Sequence, residues 1–168
     1  MTEAFPAWRW GSRNTPLSRV MKKLAATKVG SKLVRIAAPL DRALLERTDG
    51  KYTLFGPIGE TVVLLTTIGR KSGQPRTQPL LCLHEGDTLF VIGSNFGRPH
   101  HPAWTANLLT NPKATVAIGG ERIEVTSRLV DEPDKSAVFD RFVELAQAYA
   151  VYRTRTTRDL RIFALRRA

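Results

Sequence analysis

The sequence predicts a mainly β (α+β) domain, a small antiparallel barrel with flanking helices, and three observations support this. Apolar, β-branched runs recur along the chain. Two pairs of them are joined by hairpin loops, Glu85-Gly86-Asp87 and Gly119-Gly120. The helical stretches are few and interspersed among the strands, the pattern of a barrel and not of a parallel doubly wound sheet.

The first segment, residues 1–39, reads as a basic amphipathic element, and residues 40–168 as the body. Leu17, Val20, Met21 and Leu24 fall at helical spacing with Arg19, Lys22 and Lys23 off that stripe, and Pro16 suits a first helical position. Trp8 and Trp10 bracket Arg9 upstream; Lys28, Lys32 and Arg35 continue the basic character around Val29, Leu33 and Val34. Such a helix either docks its stripe on the body or lies on an anionic membrane surface, and the two are compatible.

In the body, Thr61 to Ile68 is a strand, followed by the turn Gly69-Arg70-Lys71-Ser72-Gly73. Thr77 to His84 pairs with Thr88 to Gly93, and Lys113 to Ile118 with Glu121 to Leu129. Pro102 to Asn111 is a short helix ended by Asn111-Pro112. The acids of Asp131-Glu132-Pro133-Asp134 open a longer helix to about Tyr149, with Val138, Phe139, Phe142, Val143 and Leu145 on its buried side. Arg161 to Leu165 closes the sheet.

At 168 residues the chain fits one ordinary body. Residues 1–55 hold 11 Lys/Arg against 4 Asp/Glu, residues 56–150 hold 9 against 10, and residues 151–168 hold 6 against 1, out of a formal net charge of +11. The charge therefore sits on the flanks of a neutral body, and the aromatics are not interleaved with it as a stacking platform, which argues against a nucleic-acid partner. The single cysteine, Cys82, excludes an internal disulfide and lies in an apolar run as a small hydrophobe. With no signal-like start and no long apolar stretch, the expected location is cytoplasmic, peripheral on the inner membrane face if the basic helix is used.

No Walker loop or dinucleotide fingerprint is present, and His84, His100 and His101 make no metal pair, so no metal is expected. Three loops carry the chemistry. The turn sets Arg70, Lys71 and the Ser72 hydroxyl beside backbone N–H groups, with Gly73 closing it and Arg76 following, an edge suited to anions. Gly93-Ser94-Asn95-Phe96-Gly97-Arg98 is a small-residue loop directly after a strand, where backbone donors can approach a planar ligand and Arg98 can meet negative charge. Pro102-Ala103-Trp104 opens a helix whose N-terminus suits a phosphate. Each loop has an ordinary reading alone, as solvated turn, hydrogen-bonded loop or core tryptophan; one ligand spanning all three explains their coincidence.

The run from Thr66 to Arg76, then Gln78-Pro79-Leu80, Gly93-Ser94-Asn95 with Gly97, Pro102 to Leu108 and Asn111-Pro112, resembles the deazaflavin-dependent nitroreductase family over about residues 40 to 165. The resemblance implies a split β-barrel binding coenzyme F420, an 8-hydroxy-5-deazaflavin with a phosphodiester and an oligoglutamate tail. The reduced form would pass a hydride to a lipophilic acceptor such as a quinone, a nitroaromatic or an unsaturated lipid. It further implies that Arg70, Lys71, Ser72 and Arg76 hold the phosphate and carboxylates, and that Gln78, Pro79, Ser94, Asn95 and Trp104 shape the ring slot. The best-known branch of the family has Ser-Lys-Gly-Gly where this chain has Ser94-Asn95-Phe96-Gly97, so Asn95 stands in place of the lysine and Phe96 would join the slot. Tyr149 and Tyr152 match tyrosines that line the acceptor pocket, so Ser94, Tyr149 and Tyr152 are the catalytic candidates. FMN or haem is the alternative cofactor, a non-enzymatic basic module the alternative class, and a homodimer one candidate assembly that the sequence leaves open.

Overall fold

The structure, a computed structural model, describes residues 4–11, 15–16, 19–20, 23, 27–54 and 59–168. The helix expected over Leu17 to Ala25 falls largely outside them. Among the described residues six antiparallel strands form a closed barrel: β1 (Val62–Ile68), β2 (Pro75–Glu85), β3 (Thr88–Ile92), β4 (Lys113–Ile118), β5 (Glu121–Leu129) and β6 (Ile162–Arg167). Their spatial order is β1-β2-β3-β6-β5-β4, and the pairing of Leu64 with Ala117 returns β4 to β1. Closure leaves no unpaired edge to template aggregation.

Alternation decides which side chains fill the barrel. Along β5, Ile123, Val125 and Ser127 are buried while Arg122, Glu124, Thr126 and Arg128 face water. Val63, Leu65, Val91, Val116 and Leu165 join them inside, and Cys82 is buried among them, burial raising its thiol to about 12. It is a packing residue, as its apolar run predicts.

Among the described residues the barrel carries the helices α1 (Lys28–Arg47), α2 (Ala103–Thr110), α3 (Asp134–Leu145) and α4 (Ala148–Thr154). Thr27 caps α1, its hydroxyl accepting from the Gly30 N–H at 2.9 Å. The helix runs through Pro39, so the division expected after residue 39 falls inside it. The helix expected to end near Tyr149 is interrupted: Ala146 is extended, and α4 begins after it in a new direction. Val138, Phe142 and Leu145 of α3 pack with Tyr149 and Tyr152 of α4 on the outward faces of Leu83, Ile92 and Ile162. Each fully buried side chain of this size contributes about 1.5–3 kcal/mol.

The N-terminal tryptophans are half-buried. The Trp8 indole N–H donates to the Lys51 carbonyl at 2.9 Å, and both Trp8 and Trp10 meet Tyr52 edge-on. Phe5 is buried against His84. These contacts tie the start of the chain to the segment after α1 and, through Phe5, to β2.

Candidate active site

A cavity of about 530 Å³ opens between β2, α1, α4 and the loop after β3. That volume suits a medium-sized organic ligand. The cavity gathers Gln78 and Pro79 from β2, Ser94, Asn95 and Phe96 from the loop, Pro102 and Trp104 from the start of α2, and Tyr149 and Tyr152 from α4. Nine of the sequence-derived site residues thus line one space.

The remaining candidates lie outside its lining. Arg70, Lys71, Ser72 and Gly73 lie in the exposed turn between β1 and β2, and Arg76 is exposed at the start of β2. The turn is closed by the Gly69 N–H donating to the Gln74 carbonyl at 2.8 Å and the Gly73 N–H donating to the Gly69 carbonyl at 2.7 Å. Ser72 is partly occupied there, its Oγ accepting from the Gln74 N–H at 3.3 Å. Arg76 stands two residues before Gln78 on the same strand, roughly 7 Å along β2. A ligand lying in the cavity with an acidic arm directed along β2 would reach the turn. Arg98 and Ala103 are exposed, flanking the cavity.

The loop conformation follows from its sequence. Asn95 and Phe96 have φ of 46° and 56°, and Gly97 has 74°. A Cβ on Gly97 would lie 2.6 Å from both the Arg155 Cβ and the Tyr152 carbonyl oxygen, so only glycine lets the loop sit on α4. Phe96 then meets Tyr152 edge-on, with ring centroids 5.6 Å apart. The Asn95 side-chain amide donates to the His100 carbonyl at 2.8 Å, closing the loop from within.

Tyr149 is buried beside Tyr152 and Phe142. Burial, reinforced by Tyr152, Cys82 and Glu60, pushes its phenol above the ordinary value, so it stays protonated and is able to donate a hydrogen bond. Trp104 is core and lining at once, 2% exposed and tilted over Phe163.

Several residues were missed by sequence reasoning. Asn107 is buried in α2; its Oδ1 accepts from the Arg70 N–H at 3.1 Å and its amide donates to the Thr67 hydroxyl at 3.0 Å, tying the basic turn to α2. Its signal lay in the same Pro-x-Trp helix that carries the resemblance. Arg35 and Arg42 of α1 line the cavity, and an Arg42 N–H donates to the Thr77 carbonyl at 3.5 Å. Asp41 and Glu60 add buried carboxylates; Asp41 accepts from the Thr53 hydroxyl and the Leu54 N–H, both at 2.6 Å. No local pattern marks these four: α1 brings Arg35, Asp41 and Arg42 to the cavity from a distant segment, and Glu60 reaches it from just before β1.

A model of the family described as F420H(2)-dependent quinone reductase matches residues 39–167. The chain belongs to the F420H(2)-dependent quinone reductase family. It is similar to an F420H(2)-dependent quinone reductase of Mycobacterium tuberculosis, 32% identical over 142 residues that cover 83% of this chain and 93% of the relative. Among solved structures it is similar to an F420-H2 dependent reductase, FDR-A, with TM-score 0.57 and 32% identity over 62% of this chain and 92% of that one. A structure described as a domain-swapped dimer matches with TM-score 0.60 and 30% identity over 80% and 98%. Members of the F420H(2)-dependent quinone reductase family are oxidoreductases with reduced F420 as hydride donor.

The cavity fits that cofactor. It offers a mainly apolar slot with amide and hydroxyl groups at one side, and cations lead from Arg42 past Arg76 to Arg70 and Lys71.

Proposed function

We propose that this chain reduces a lipophilic quinone with F420H2, and that nitroaromatic and unsaturated-lipid acceptors enter by the same cavity. Bound there, the cofactor supplies the hydride. Gln78, Pro79, Ser94, Asn95 and Phe96 hold its flat ring, and Pro102, Ala103 and Trp104 border the slot. Arg70, Lys71, Ser72, Gly73 and Arg76 receive its phosphate and carboxylates, with Arg98 and the Gly97 turn at the flank. Tyr149, Tyr152 and Ser94 orient the acceptor oxygen and stabilise the negative charge that develops on it. The observation that carries this reading is that one cavity joins the Gln78–Ser94–Asn95 slot to the Tyr149–Tyr152 wall.

The acceptor's lipophilicity is supported by α1. Its inner side lines the cavity with Val34, Ala38 and Pro39, while Val29, Leu33, Ile36 and Leu40 are exposed at helical spacing on the other side. Lys32 and Arg47 lie on the same helix away from the cavity, which suits an anionic lipid surface, each cation adding about 1 kcal/mol near the headgroups. No helix among the described residues is long and apolar enough to cross a membrane. A homodimer is the proposed assembly, supported by the domain-swapped neighbour at 30% identity and tested by sedimentation.

The experiment is reoxidation of F420H2 with menaquinone, a nitroimidazole and an enoyl lipid, run with the parent and with Tyr149→Phe. Quinone turnover falls in the variant; unchanged turnover of every acceptor would remove Tyr149 from the site. Leu33→Ser with Ile36→Ser is expected to lower sedimentation with anionic vesicles and to spare F420 binding. Equal vesicle binding would discard the membrane reading.

A further inference from the structure

We infer that Arg158 is a positioning residue for the cofactor ring, acting from behind the loop to aim the backbone N–H groups of Ser94 and Asn95 into the cavity. The inference rests on the F420 reading and specifies how its ring slot is held in shape.

Arg158 lies between α4 and β6, and its side chain is not part of the cavity lining. Its guanidinium nonetheless engages the loop at four points. Nη1 donates to the Gly93 carbonyl at 2.9 Å, Nη2 to the Ser94 carbonyl at 2.6 Å, and Nε to the Arg98 carbonyl at 2.9 Å. Nη1 also donates to His101 Nδ1 at 3.3 Å. An arginine cannot accept, so His101 must present an unprotonated Nδ1 to it. The planar fork is suited to holding several carbonyls at set angles, which a lysine ammonium cannot reproduce.

The consequence follows from the geometry of the peptide unit. Across a trans peptide the C=O and N–H point in opposite directions. Turning the Gly93 carbonyl toward Arg158 turns the Ser94 N–H away from it; turning the Ser94 carbonyl does the same to the Asn95 N–H. Ser94 and Asn95 line the cavity and Arg158 does not, so the side facing away from the guanidinium is the cavity side. Among the described residues neither N–H has an acceptor within the protein. The Ser94 carbonyl is doubly engaged, accepting also from the Gly97 N–H at 2.9 Å, which makes this peptide the most constrained of the loop. Asn95 and Phe96, both at positive φ, hold a backbone shape that costs energy without outside support.

The result is two fixed donors 

directed at the polar edge of a flat ring, where they distinguish a ligand with carbonyl or ring-nitrogen acceptors from a purely apolar one. The basic turn grips the acidic arm; Arg158 governs the ring. The two contributions separate when the arm is removed.

The test is calorimetric titration of the full-length parent, Arg158→Met, Arg158→Lys and Lys71→Glu with F420 and with the same deazaflavin ring lacking the phosphodiester and glutamates. Thermal unfolding runs alongside. Arg158→Met is expected to weaken both ligands by the same factor, about tenfold or more, and Arg158→Lys to fall between it and the parent. Lys71→Glu is expected to weaken F420 alone. A merely structural role would lower the folded fraction and the unfolding midpoint while leaving the dissociation constant of the folded protein unchanged. That result overturns the inference, as does ring binding by folded Arg158→Lys equal to the parent's. Should Arg158→Met fail to fold, Arg158→Lys decides alone. A parent that bound neither ligand would overturn the cofactor reading itself and the inference with it.

Discussion

Replacing Gly97 with alanine probes the joint between the cofactor loop and the tyrosine helix. Gly97 has φ of 74°, and its Cβ would stand 2.6 Å from the Tyr152 carbonyl oxygen and 2.6 Å from the Arg155 Cβ. Both obstacles sit close to the α4 backbone, so neither can swing aside as the tip of a long side chain could. The left-handed backbone costs an alanine about 1–2 kcal/mol. Overpacking against a rigid neighbour adds about 1–3 kcal/mol. Together these give about 2–5 kcal/mol, a large fraction of a domain's stability of about 5–15 kcal/mol. For a chain of this length the thermal midpoint falls by about 2–4 °C per kcal/mol, or about 4–20 °C in all. Calorimetric unfolding reads the midpoint, and titration with F420 reads whether the loop and Tyr152 have separated. A midpoint within about 1 °C of the parent, with unchanged affinity, would refute the packing argument.

Asn107→Ala removes the acceptor of the Arg70 N–H and the donor to Thr67; a loss of about 1–3 kcal/mol in denaturant unfolding is expected, with weaker binding of F420 but not of the arm-less ring. His101 is held below its usual range by burial first, then by Arg161 and Arg158, with Asp159 opposing. Since the unfolded chain binds that proton more readily, the His101 contribution is complete above about pH 6.5 and is lost as pH falls through the lowered native value. His101→Gln, whose amide oxygen can still accept from Arg158, is expected to flatten this part of the thermal midpoint's pH profile between 7 and 5; an unchanged profile would remove His101 from the account.

Much of the barrel was legible because local signals and the final fold agree. Gly119 and Gly120 take φ of 60° and 95°, as the hairpin dipeptide demands, and β5 alternates in burial residue by residue. The break between α3 and α4 was not legible. Leu145-Ala146-Gln147 contains no glycine or proline, and the helix stops because Ala146 is extended and buried where α4 must turn its tyrosines to the cavity. Helix α1 was obscured differently, since Pro39 reads as a boundary and yet lies within it.

The site divides in the same way. Ser94 and Asn95 were legible as a small-residue loop directly after a strand, while Gln78 on β2 and the two tyrosines on α4 came from the family resemblance; all five line the one cavity. Arg158, Asn107, Arg35, Arg42, Asp41 and Glu60 act through contacts made only when distant segments meet, and a solvated arginine looks the same in sequence as one that holds three carbonyls.

The central claim is that the cavity takes a reduced deazaflavin whose acidic arm lies along β2 to the turn at Arg70 and Lys71. Isothermal titration of F420 into the parent and into the double variant Arg70→Glu, Lys71→Glu tests it most directly. The account predicts one site per chain in the parent and an affinity lower by about tenfold or more in the variant. Absence of binding heat in the parent, or equal affinity in the two proteins, would contradict it.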